Sequence, residues 1–192
     1  MLKRTIKFIF KKTEKKNESN SFTSLAFAHL GSFSNVKGNF LVKNPQYMSI
    51  GENFSSLYNL RLEAWDEYGE QKFKPQIIIG NNVCFNSDVH IGCIDRVEIG
   101  NYVLMASRIF IADCSHGEIS KKAIELPPIK RPLVSKGPVI IEDNVWIGEG
   151  VAILSGVRIG RNSIIGANSV VTKDIPPNSV AGGIPCKVIK EL

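Results

Sequence analysis

Three histidines, His29, His90 and His116, are the side chains of this sequence best suited to moving a proton near neutral pH. An imidazole with an unperturbed pKa of about 6.5 can take a proton from a hydroxyl and hand it on again. His116 ends the run "IADCSH" before Gly117, and two further reactive groups lie close to it along the chain. Asp113, three residues earlier, is a candidate for orienting the imidazole, and a backbone carbonyl is an equal one. Cys114 is a thiol that could in principle carry an acyl group, although a residue so near along the chain need not face the base. A loop histidine with no special placement is usually just a solvated polar residue, so the standing of His116 depends on what holds it.

Metal chemistry has less to work with. The histidines are not paired at short spacing, and Cys84, Cys93, Cys114 and Cys186 form no CxxC pair. In a chain without an export signal they read as reduced thiols of a cytoplasmic protein, with no metal required.

What holds His116 is a repeat. From Ile141 the chain divides into sixes, IEDNVW, IGEGVA, ILSGVR, IGRNSI, IGANSV and VTKDIP, with an aliphatic residue first and a small or β-branched residue fifth. The same beat runs upstream through Ile79, Phe85 and Ile91, shifts by two residues, and continues through Ile99, Met105 and Ile111; a weaker version passes through Ile50, Ser56 and Leu62. A period of six fits neither a helix nor a long alternating strand. It fits a parallel coil in which each unit is one short strand and a corner, and three units complete a triangular rung. Ile141, Ile159 and Pro177 are expected in one inward column, and Ile147 and Ile165 in another. Glycine and asparagine gather at the corners, where they tolerate left-handed backbone angles. By this count Ile111 to His116 is a complete unit, His116 its last residue, and Gly117 to Pro138, rich in lysine and proline, a projecting loop.

The run "DNVWIGEGVAILSGVRIGRNSIIGANSVVTKDIPPNSVAGGIPCKVIK" over 143–190, and "RVEIGNYVLMASRIFIADCSHG" over 96–117, resemble the hexapeptide-repeat acyltransferases, in particular the maltose, galactoside and polysaccharide O-acetyltransferases. The resemblance covers about 77–190. It implies an all-β, left-handed parallel β-helix, an exception to the usual right-handed crossover, and an acetyl-CoA-dependent transfer of acetyl to a sugar hydroxyl. By the family's motif His116 is the base, since a sugar alcohol is a poor nucleophile until its proton is removed. Asn86 matches an asparagine lining the acceptor pocket. An acidic acceptor residue of the family falls at Ile94, with Asp95 one position later; Asp95 and Asp113 complete the expected acceptor set. Trp146 matches a tryptophan of the pantetheine channel, Ala167, Ser169 and Thr172 fall where small residues admit the pantetheine arm, and Lys173, Lys187 and Lys190 match basic residues near the adenosine phosphates. Direct transfer in the cleft of a homotrimer is implied, the acceptor belonging to a bacterial surface polysaccharide or its precursor. Alternatives within the enzyme class are acetylation of an antibiotic or of a nucleotide-sugar amine. A carbonic anhydrase would need three converging metal histidines, and a β-helical scaffold would have no use for His116, Trp146 and Lys173 together.

Charge adds one boundary. The formal net charge is +6, and residues 1–20 hold seven basic residues against two acidic ones, so the rest is nearly neutral and offers no nucleic-acid face. The basic arm at 1–20 reads either as a solvated terminus or, through Ile6, Phe8, Ile9 and Phe10, as a segment making weak contact with an anionic membrane surface over residues 1–16. Residues 21–45 are left without an expected structure, and the coil is expected over 46–190 with its loop at 117–138.

Overall fold

The computed structural model describes residues 21–192; the basic arm and its membrane reading lie outside the described residues. Short parallel strands stack on three faces. The first face holds His29–Leu30, Met48–Ile50, Gln76–Ile79, Arg96–Ile99, Val139–Ile141 and Arg158–Ile159. The second holds Asn35–Val36, Ser55–Ser56, Cys84–Phe85, Leu104–Met105, Trp146–Ile147, Ile164–Ile165 and Ser179–Gly182, closed by the antiparallel strand Lys187–Glu191. The third holds Phe40–Lys43, Leu60–Ala64, His90–Cys93, Phe110–Ala112, Ala152–Ile153 and Val170–Val171.

The first residue of each hexad faces inward and stacks on its equivalent in the next rung. Ile50, Ile79, Ile99, Ile141 and Ile159 align on the first face, Phe85, Met105, Ile147 and Ile165 on the second, and Leu62, Ile91, Ile111, Ile153 and Val171 on the third. All are buried. A strand two residues long has little stability alone, and stacking supplies it, because every inward side chain is covered above and below. One column ends differently from expectation: Ile159 bridges to Ile175, and Pro177 instead lies against Gly160. The last rung is two residues short, so Ile175 takes the inward place. Residues 29–43 form a complete rung below Met48, with Leu30, Val36 and Val42 in register with Ile50, Ser56 and Leu62. Phe22, brought in by the turn Phe22–Ser24, packs on Phe27, Phe40 and Phe54 and closes the bottom of the core.

Asparagine dominates the corners for two reasons. Asn53, Asn82, Asn144, Asn162 and Asn178 adopt positive φ, which an Asn tolerates better than a branched residue. Their amides also bond upward, Asn144 to Asn162 at 3.1 Å and Asn162 to Asn178 at 2.7 Å.

Candidate active site

Two insertions leave the coil after the third-face strands, before the next first-face strand. The shorter follows Leu60–Ala64 and is the hairpin Glu67–Tyr68 with Gln71–Lys72. The longer follows Phe110–Ala112. Its two ends pair antiparallel, Ser115 with Val134 and His116 with Leu133, and its tip makes the turns Ala123–Glu125 and Pro128–Lys130. His116 therefore belongs to the root of the loop, not to a coil strand. The hexad count runs through Ile111, but the chain leaves the coil at Asp113, where the parallel register ends.

The insertions lock onto each other. The Gln71 side chain acts as a piece of strand: its amide donates to the Leu133 carbonyl at 3.0 Å and accepts from the Leu133 N–H at 2.7 Å. The Tyr68 hydroxyl donates to the Ile129 carbonyl at 2.8 Å. Ser155, from the next rung, gathers both ends of the loop, donating to the Asp113 carbonyl at 2.6 Å and accepting from the Lys136 N–H at 2.8 Å. Gly117, at φ +85°, turns the chain and gives its N–H to the Pro132 carbonyl at 2.7 Å. A Cβ at Gly117 would stand 2.9 Å from the Arg131 side chain.

His116 is held out by this framework. Its ring meets Tyr68 edge to face at 5.3 Å between centroids, and neither ring nitrogen has a hydrogen-bond partner among the described residues. It stands where two cavities meet. The lower, about 490 Å3, has Gly92 and Ala112 as its floor and Glu63, Trp65, Tyr68, His90, Phe110 and Ile129 around it. The upper, about 790 Å3, runs along Leu154, Ser155 and Thr172 and carries Lys121, Arg131 and Lys136. Phe110, Ala112, Cys114, Ser115 and His116 border both. Such an arrangement presents one imidazole to two molecules approaching from opposite sides.

Asp113 is a correction. It is fully buried, and its carboxylate accepts the N–H groups of Ile94 at 2.9 Å and Asp95 at 2.8 Å, with the Cys93 thiol at 3.3 Å. It ties a corner of the preceding rung and is neither an acceptor ligand nor a partner of His116. Burial holds its carboxyl above the usual carboxylate range, though the bonded N–H groups pull it down. Burial first, and the Asp113 carboxylate second, push the Cys114 thiol up to about 12, which leaves it protonated and a poor nucleophile at neutral pH.

The other expected residues divide by location. Thr172 borders the upper cavity with His116, and Lys173 is its exposed neighbour. Asn86 and Asp95 line neither cavity: Asn86 is half-buried at the corner after Phe85, and Asp95 is exposed. Trp146 stands on the outer side of the second face between Leu104 and Ile164, 50% exposed. Ala167 is at the corner above it, and Lys187 and Lys190 are on the closing strand. Ser169 is also a correction: it is fully buried, donates to the Gly166 carbonyl at 2.6 Å and accepts from the Gly183 N–H at 3.0 Å, so it packs the upper corner and cannot line an edge. One chain thus brings together His116 and Thr172, and sets Trp146, Ala167, Lys187 and Lys190 on and beside another face.

Sequence reasoning missed Glu63, Trp65, Tyr68 and Gln71. The signal was a gap: the beat passes from Leu62 to Ile79 with too many residues for a corner, which marks an insertion.

Comparisons with known proteins agree with this geometry. The bacterial transferase hexapeptide family (six repeats) matches residues 138–173. A protein of Escherichia coli (strain K12) named as a lipopolysaccharide-biosynthesis O-acetyltransferase, WbbJ, is 39% identical over 154 residues, 78% of this chain and 74% of its own. The galactoside O-acetyltransferase of the same organism is 36% identical over 165 residues; the match takes in 83% of this chain but 64%, under two thirds, of that enzyme. The crystal structure of a maltose O-acetyltransferase from Clostridium difficile 630 superposes with a TM-score of 0.57 at 34% identity, over 86% of this chain and 70% of that one.

Proposed function

This chain belongs to the hexapeptide-repeat O-acetyltransferases, left-handed β-helical enzymes, and from that premise we propose that it transfers acetyl from acetyl-CoA to a hydroxyl of a sugar destined for a bacterial surface polysaccharide. The observation that carries the mechanism is the position of His116 between two cavities. The upper cavity suits the coenzyme: Thr172 and Leu154 give a narrow, mostly uncharged wall, and Lys121, Arg131 and Lys136 supply charge for phosphates. The lower cavity suits the sugar.

His116 removes the hydroxyl proton as the oxygen attacks the thioester carbonyl carbon. The carbon–sulfur bond then breaks, and the departing thiolate takes the proton from the imidazolium. Proton transfer of this kind accounts for about 10²–10⁴ in rate. Tyr68 holds the ring by its edge, and the pairing of His116 with Leu133 fixes the backbone beneath it.

Trp146, Ala167, Lys187 and Lys190 serve the coenzyme in this reading only if the second face of a neighbouring copy meets the third-face cavities, which supports a homotrimer with the site shared between chains. Asn86 and Asp95 then act, if at all, across the same boundary. Among the described residues no helix is long and apolar enough to cross a membrane, and a cytoplasmic enzyme using cytoplasmic acetyl-CoA is the reading taken here. Assay of the purified chain with acetyl-CoA and a panel of glycosides tests it. Acetyl transfer to a sugar hydroxyl, lost in His116→Ala, is expected; absence of coenzyme A binding by calorimetry overturns it.

A further inference from the structure

The lower cavity contains a polar cluster that the reaction as described does not use. His90 and Glu63 come from neighbouring third-face strands, and the His90 Nε2 lies 2.9 Å from Glu63 Oε2. The same oxygen is 2.7 Å from Arg61 Nε. Glu63 is 5% exposed, and its carboxyl is held below the usual carboxylate range, burial opposing the change and the bonds from His90 and Arg61 outweighing it. A buried carboxylate kept ionised by two donors is a fixed mount.

That mount fixes the ring of His90: its Nε2–H donates to Glu63, and Nδ1 is left to make a hydrogen bond of its own. Nδ1 has no partner among the described residues, although the ring borders the cavity and rests edge-on against Phe110 at 5.4 Å. Beside the ring the floor is open. A Cβ built on Gly92 would meet nothing nearer than His90 Nε2 at 4.0 Å, and Ala112 follows in register on the next rung. Trp65, Tyr68 and Phe110 are flat walls. Aromatic walls with a few fixed polar groups suit a ring that is apolar on its faces and hydroxylated at its rim. Among the described residues no lysine or arginine lines the cavity, and its one carboxylate is already paired, so none of them balances a charged substituent.

We propose that His90, mounted on Glu63, is the specificity-determining residue for the acceptor, hydrogen-bonding one hydroxyl while His116 takes the proton of another, and that the moiety it selects is an uncharged sugar ring. Glu63 is a positioning residue, acting through His90. The inference rests on the sugar-acetyltransferase reading above.

The full chain is assayed with acetyl-CoA against methyl glucoside and methyl galactoside, and against the matching methyl glucuronide and galacturonide. The wild type is expected to acetylate a neutral glycoside and to discriminate against its uronide by tenfold or more in kcat/KM. His90→Ala is expected to lower kcat/KM for the neutral acceptor about tenfold, the worth of one hydrogen bond, with the KM for acetyl-CoA changed less than twofold. His90→Gln, which keeps an acceptor atom, recovers part of the loss. Gly92→Val, whose Cβ meets no backbone within 4 Å, places methyls over the open floor and is expected to raise the acceptor KM while sparing the coenzyme KM, which guards against His90 variants that fold poorly. Equal use of glycoside and uronide, or unchanged acceptor kinetics in both folded His90→Ala and Gly92→Val, overturns this inference while leaving sugar acetylation standing. If the wild type binds coenzyme A and acetylates neither set, the sugar reading itself falls and this inference with it.

Discussion

The upper and lower halves of the coil share one plan and differ in what leaves it. From Ile141 to Ile159 and from Ile153 to Val171 each rung takes eighteen residues, and the corners are short, each with a glycine or asparagine. Lower down, Ile50 pairs with Ile79 and Ile99 with Ile141, steps of 29 and 42 residues. The extra residues all depart from the same edge, so two insertions separated by more than forty residues of chain meet over one face. A stacked coil makes this cheap, since each rung carries its core in its strands and lets a corner lengthen without disturbing the stack. In the proposed mechanism the upper half contributes rigidity and a wall for the coenzyme, and the interrupted half contributes the base, its support and the acceptor cavity.

The division can be broken from either side. His116→Ala is expected to cost about a thousandfold in kcat/KM with little change in melting temperature, because the ring has no hydrogen bond among the described residues and gives up only its edge contact with Tyr68; thermal melting beside kinetics reads both. Ile147→Ala is the converse. Ile147 is fully buried between Met105 and Ile165, so its truncation is expected to remove about 2–5 kcal/mol of stability, seen in denaturant titration, while activity per folded molecule stays near wild type.

Two variants probe the border between the halves. Asp113→Ala strips the N–H groups of Ile94 and Asp95 of their shared acceptor and is expected to cost about 2–3 kcal/mol, followed by a smaller loss of activity as the loop root loosens. Gln71→Ala removes both of its bonds to Leu133, leaving that of Tyr68 to Ile129, and is expected to lower kcat/KM about three- to tenfold, with increased amide exchange at Leu133. The smallest effect belongs to Cys114. Cys114→Ala should keep activity within about twofold, which a covalent acyl-thiol route would not allow. With its thiol pushed up to about 12, the thiolate fraction grows as pH rises towards that value, so alkylation by iodoacetamide, followed at the Cys114 peptide, is expected to be slow at pH 7 and to speed up about tenfold per pH unit from 8 to 11.

Much of the fold was legible because a hexad is a local signal. Ile147 over Ile165 follows from counting, and so does the two-residue shift that places Ile99 above Ile79. The rung at 29–43 was not legible, although Leu30, Val36 and Val42 keep the spacing and Gly31, Gly38, Asn39 and Asn44 stand at its corners, because three units set eight residues before the weak beat at Ile50 are too few to establish a period alone. His116 was found by its motif and then placed one element too early, because the sixfold count runs on past the residue where the chain turns out of the coil. Asp113 was misread for a related reason: proximity along the chain suggested His116, whereas its carboxylate reaches back to the rung below.

By itself the sequence determined the stacked coil, its inward columns and the presence of a histidine beside a long loop, since each of these depends on residues six or eighteen apart. Only the tertiary structure decided that Tyr68 and Gln71 support the loop, that Glu63 mounts His90, and that His116 stands between two cavities. Those contacts join residues from 27 to 62 positions apart, either on insertions with no period of their own or across neighbouring strands separated by an insertion. The contacts come about because the coil delivers both insertions to one edge.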